Sequence, residues 1–118
     1  MNSKELNLNF NKLCEYGPIV SLLNRYVKDK NYRLVDKLLR AFNIDEVVRT
    51  FGELLRDARS RYPGFLPSST MVAKFYEEAS KDIRLVHAIV GLAYSYIDKE
   101  FFESCVKTRK EETGEGGE

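Results

Sequence analysis

The chain is predicted to be all-α: a single-domain helical bundle of about five to six helices, with one long, largely buried helix in its C-terminal half. Three observations carry this. Apolar residues recur in steps of three and four along most of the chain, and no stretch alternates every second residue as a strand would. Helix-ending and helix-starting residues fall between those stretches. A composition of 43% hydrophobic and 31% charged over 118 residues suits one globular domain that builds its own core. That domain is expected to cover residues 1–110, with a hinge at 62–68, and the ending EETGEGGE (111–118) reads as a disordered acidic tail.

Ser3 is placed to cap a first helix with Leu6, Phe10, Leu13 and Cys14 on one side. Tyr16-Gly17-Pro18 ends it and starts a second, because glycine suits a helix end and proline a first turn. The second helix, about 18–28, shows Ile19, Leu22, Leu23, Tyr26 and Val27, and Asp29-Lys30-Asn31 breaks it. A third, about 32–42, gathers Tyr32, Leu34, Val35, Leu38, Leu39 and Phe42 on one face, with Arg33, Lys37 and Arg40 opposite. Asn43 or Asp45 caps a fourth that runs to about residue 61, with Val47, Val48, Phe51, Leu54, Leu55 and Ala58 as its buried stripe. Arg49, Arg56 and Arg59 lie away from that stripe, and Gly52 stands between them.

The segment Tyr62-Pro63-Gly64-Phe65-Leu66-Pro67 cannot continue a helix and is the clearest linker. Its Tyr62 and Phe65 are read as stapling the loop to the core in preference to stacking on bases. Ser68, Ser69 or Thr70 then caps a fifth helix, expected to run on as one long helix over about 69–103, with a restart at Asp82 as the alternative. Along it Tyr76, Ala79, Ile83, Val86, Val90, Ala93 and Ile97 form a heptad seam. Leu85, Ile89 and Leu92 fall off that seam. A helix apolar on several sides needs several neighbours, so these three residues are the candidate subunit interface. Ala88, Gly91 and Ser95 form a small-residue strip suited to close helix packing.

Two cysteines, Cys14 and Cys105, are far apart in sequence and lack metal-ligand spacing. They are expected as separate thiols serving as small core residues, with pairing left open because hyperthermophiles keep intracellular disulfides. The absence of Gln and Trp leans toward a thermophilic source, and seven Asn lean against it. No apolar run is long enough to cross a membrane, and the N-terminus lacks the apolar run of a signal peptide, so a cytoplasmic protein is expected.

Nothing points to catalysis. The one histidine, His87, has no nucleophile a helical turn away and is read as a partly buried helix residue. The adjacent pairs Glu77-Glu78 and Glu111-Glu112 diverge around a helix, and no phosphate-binding loop or nucleophile elbow occurs. No enzyme, cofactor or metal is expected. The one ligand signal is basic. Residues 1–65 carry 12 Lys and Arg against 8 Asp and Glu, and residues 66–118 carry 7 against 10. Arg33, Lys37, Arg40, Arg49, Arg56 and Arg59 are the candidate contacts to a nucleic-acid backbone, with ordinary solvated helix faces as the competing reading.

A small, all-helical, non-catalytic chain with a proline-rich break before a capped helix resembles the small subunit of archaeal type I-A CRISPR interference (Cascade) complexes. The residues concerned are Ser68-Ser69-Thr70, Ala79, Asp82-Ile83-Arg84 and the block from Ala88 to Ile97. The resemblance implies a structural subunit of an antiviral complex, packed beside the backbone and large subunits and touching crRNA or target DNA through sequence-independent contacts during R-loop formation, with self-association in several copies left open. The alternative is a self-associating helical adaptor or regulator without nucleic-acid binding.

Overall fold

A computed structural model of the chain describes residues 8–95 and 98–113. Among these every regular element is helical: α1 (Phe10–Leu13), a 3-10 turn (Cys14–Tyr16), α2 (Gly17–Lys28), α3 (Arg33–Leu39), α4 (Ile44–Arg61), a second 3-10 turn (Pro63–Phe65), α5 (Ser69–Lys81), α6 (Arg84–Ser95) and α7 (Asp98–Thr113). None of the described helices is long and apolar enough to cross a membrane. Asn43 and Ser68 cap α4 and α5 as expected, whereas α1 starts at Asn9, which is not among the expected caps. The Asn9, Asn43 and Ser68 side chains accept from the backbone N–H groups of Lys12, Glu46 and Met71 at 2.8, 3.0 and 3.0 Å. Pro18 sits in the first turn of α2. The capping assigned to Ser3 lies outside the described residues.

The centre of the molecule is α6 laid against α2 and α3, with α5 and α1 also packed on it, while α7 lies against α1 and α2. Leu85, Val86, Ile89, Val90 and Ala93 are all buried, so both sides of the apolar stretch lie inside the chain. This corrects the interface expected at Leu85 and Ile89; Leu92, the third residue of that set, is not fully enclosed. Leu85 and Ile89 are 0% exposed within one subunit, and Leu92 is half-buried against the same core. The reason is topological: α2, α3 and α5 each bring one apolar stripe to α6 and supply the several neighbours it needs. Asn24 adds a polar tie, its Nδ2 donating to the Ala93 carbonyl at 2.9 Å in the middle of the packed pair. Of the small-residue strip, Ala88 is half-buried against the core, Gly91 is half-buried with open space where a Cβ would stand, and Ser95 is exposed.

The long helix expected over 69–103 is interrupted. Asp82 has extended backbone, and its carboxylate accepts from the Arg84 N–H at 3.0 Å and from the Arg84 guanidinium, starting α6 afresh. α3 is shorter than expected and ends at Leu39. Of its supposed buried face, Tyr32 and Leu39 are half-exposed and Phe42 is 84% exposed, while Ala41 turns inward. Val48 of α4 is likewise half-exposed. The helix α7 continues through Thr113, so residues 111–113 of the expected acidic tail are helical; 114–118 lie outside the described residues.

Cys14 and Cys105 form a disulfide with Cα atoms 5.7 Å apart, which corrects the expectation of separate thiols. It holds α7 against the N-terminal segment. Phe101 of α7 is fully buried there, edge-on to Phe10 at 5.8 Å, and Phe102 passes over Gly17, where a Cβ would stand 3.1 Å from its ring. Glycine at 17 thus admits α7 to this close approach.

Tyrosine hydroxyls bonded to carboxylates recur between elements. Tyr16 donates to Glu78, Tyr26 to Asp57 at 2.6 Å, Tyr62 to Asp29, and Tyr94 to Asp36. Burial and these carboxylates push the Tyr16 and Tyr26 hydroxyls well above the usual phenol value and those of Tyr62 and Tyr94 to about 12. The phenols therefore stay neutral donors at ordinary pH. Tyr62 is 7% exposed and edge-on to Tyr26 at 4.9 Å, and the Arg25 guanidinium lies 5.1 Å from the Phe65 ring. The linker is stapled to the core by these contacts.

Candidate nucleic-acid interface

α3 and α4 pack against each other through a short turn, so the polar faces left over from their apolar stripes border one another. Lys37 of α3, Arg40 at its C-cap and Arg49 of α4 meet there and line a cavity of about 260 Å³, together with Glu46 and Thr50. Thr50 is 5% exposed. None of the three cations forms an ion pair with another described residue. Glu46 is the only acid in the lining, and its Oε1 is taken up by the Phe42 backbone N–H at 2.7 Å. The cavity thus presents three cations against one engaged carboxylate, and can receive an anion with charge-assisted hydrogen bonds from two guanidiniums.

The other three sequence candidates go elsewhere. Arg33 pairs with Glu53 at 3.2 Å, bridging α3 and α4 one step along the same face. Arg56 lies along α4 above Gly52, its Nη1 being the nearest atom to the space a Cβ would take there. Arg59 is on the far side of α4, at a mainly apolar groove of about 410 Å³ bordered by Leu55, Leu66, Val72 and Tyr76. The structure therefore brings together Lys37, Arg40 and Arg49 and separates Arg33, Arg56 and Arg59 from them.

The turn joining α3 to α4 is pinned at each residue. The Ala41 side chain is 3% exposed and its carbonyl lies 3.0 Å from His87 Nε2 on α6. The Phe42 N–H is held by Glu46, and Asn43 caps α4. His87 is half-buried and serves here as a fastening for the turn. Beyond α3, Tyr94 of α6 stacks on Tyr32 at 6.1 Å and donates to Asp36, near enough to Arg40 for the guanidinium to ease its hydroxyl downward against burial and Asp36. Sequence periodicity found the cations but missed Thr50 and Glu46. The signal for Glu46 was present in the first turn of α4, where Asn43 and Glu46 stand at capping spacing; Thr50 carried none.

Among the described residues no group of three His, Cys, Asp or Glu side chains is placed to hold a metal ion. No protein-family model, no curated protein and no solved structure matches the chain.

Proposed function

We propose that the protein is a non-catalytic helical subunit that holds a nucleic-acid backbone without reading its sequence, as the small subunit of a type I-A CRISPR interference complex would. The observation that supports this reading is the convergence of Lys37, Arg40 and Arg49 on one cavity without ion-pair partners among the described residues. Unpaired cations sharing a cavity repel one another. An anion seated among them turns that repulsion into attraction, and a phosphodiester offers the oxygens that guanidiniums grip in pairs. At about 260 Å³ the space is below the usual range of small-molecule pockets, roughly 300–1,000 Å³, and suits a phosphate with some of its water. The near-neutral overall charge fits a subunit that acts beside others and not as an independent, strong binder. Burial of Leu85 and Ile89 inside the fold removes those two side chains as contact surface from both readings alike, the complex subunit and the self-associating adaptor.

The test is a salt titration of oligonucleotide binding. Each phosphate contact contributes a slope of about −0.7 for single strands and −0.9 for duplex in log K against log salt. Replacing Lys37, Arg40 and Arg49 together by Ala should lower affinity at least tenfold and flatten the slope by about one contact or more. The control changes the exposed Lys28, Lys30 and Lys107 to Ala, the same net charge at other places, and should lose much less. Equal losses in both variants, or none in either, would contradict the site.

A further inference from the structure

Phe42 is the most exposed of the large apolar side chains described, at 84%, and it has no ring partner among the described residues. Its backbone is nonetheless fixed. The preceding Ala41 is buried with its carbonyl at His87, the Phe42 N–H is bound by Glu46, and the following Asn43 caps α4. The turn is thus not a loose loop that happens to expose a ring. It is a rigid mount carrying one aromatic into solvent, and Glu46, which holds it, also lines the cavity of Lys37, Arg40 and Arg49.

Resting on the reading of that cavity as a phosphate-backbone site, we infer that Phe42 is a stacking platform for an unpaired base, so that this face takes single-stranded nucleic acid in preference to duplex. In a duplex both faces of each internal base are covered by its neighbours, leaving the ring nothing to stack on. In a single strand the base next to the held phosphate is free to turn onto it. A basic track with an aromatic beside it is the general solution for sequence-tolerant single-strand binding, since every base has a π-face. Leu39, half-exposed one turn before Phe42, extends the apolar footing. An apolar protein surface is the competing occupant of an exposed phenylalanine, but it leaves the adjacent cations without a counterpart.

The experiment compares wild type with Phe42→Ala and Phe42→Trp by fluorescence anisotropy, using a dT 20-mer, a 20-base-pair duplex and inorganic polyphosphate, which has phosphates and no bases. Because the side chain is almost wholly in solvent, both variants should keep the wild-type circular dichroism and melting temperature. Wild type should bind the dT 20-mer more tightly than the duplex. Phe42→Ala should weaken dT binding about 5- to 150-fold, the loss of one base stack, with an unchanged salt slope. Phe42→Trp should restore it. Polyphosphate binding should stay within about twofold in both variants. Equal affinity of wild type and Phe42→Ala for the dT 20-mer, or an equal loss for dT and polyphosphate, overturns stacking while the phosphate site stands. Wild type binding neither probe overturns the phosphate reading itself and stacking with it. Phe42→Ala that instead abolishes capture of a protein partner, with dT binding intact, assigns the ring to a protein surface and overturns the inference.

Discussion

Replacing Cys14 and Cys105 together by Ser should cost much of the stability of this fold, and the size of the loss follows from where the bridge is anchored. The two residues are 91 apart in sequence, so the cross-link closes nearly the whole chain. The loop-entropy relation gives about 16 cal/mol/K for a loop of this size, or about 4.6 kcal/mol at 25 °C. At roughly 2.1 cal/mol/K per residue, 118 residues have an unfolding entropy of about 250 cal/mol/K, so the melting temperature should fall by about 18 °C. The two small hydroxyls left in a site where the cysteines were 9% and 7% exposed add to the loss. The assay is a thermal melt followed by circular dichroism, oxidised wild type against the double-serine variant, with thiols titrated in denaturant without reductant. The expected titre for wild type is zero. Two titratable thiols, or a melting temperature within about 5 °C of wild type for the variant, would refute the argument.

Leu85→Ala should destabilise the isolated chain by about 2–5 kcal/mol, measured by urea unfolding, because a fully buried leucine leaves a cavity in the centre of α6; its mass by light scattering should not change. A fall in mass with unfolding free energy intact would return Leu85 to an interface. Glu78 is pushed up by burial, but hydrogen bonds from Tyr16 and Lys12 outweigh this and hold it below its ordinary 4.5. Its folded value being the lower one, it stabilises the fold above about 4.5 and that contribution is lost as pH falls through the folded value. Glu78→Gln should therefore lower stability at pH 7 and make the acid limb of a stability-pH curve shallower; an unchanged limb would contradict the assignment. Gly91→Ala should raise stability by about 0.5–1 kcal/mol, since the position is within α6 and a Cβ there meets open space. A destabilised variant would show that the strip is covered.

What was legible in the sequence was mostly local. Asn43 and Ser68 announce the starts of α4 and α5 because a cap needs only its own next three residues, and Gly17-Pro18 marks a junction for the same reason. The end of α3 was not legible. Leu39 and Phe42 each stand four residues after a core position, Val35 and Leu38, and so resemble core themselves. Yet His87, 46 residues away, fastens Ala41 in their place and leaves Phe42 outside. Leu85 and Ile89 looked surplus because a single helix cannot show how many stripes will surround it. The disulfide depends wholly on α7 returning to the N-terminal segment, which no spacing of two cysteines reveals. The basic site was half legible: periodicity puts Lys37 and Arg40 on one face, but only the packing of α4 decides that Arg49 joins them while Arg56 and Arg59 do not.

The central claim, that the α3–α4 face receives a nucleic-acid backbone, is tested most directly by mapping amide chemical-shift changes on the intact chain as a dT oligonucleotide is added. Saturable shifts should concentrate at residues 37–50, centred on Lys37, Arg40, Glu46, Arg49 and Thr50, with the half-buried strip at Ala88 and Gly91 unmoved. Shifts centred on that strip or on the groove beside Arg59, or none at any position, would contradict it.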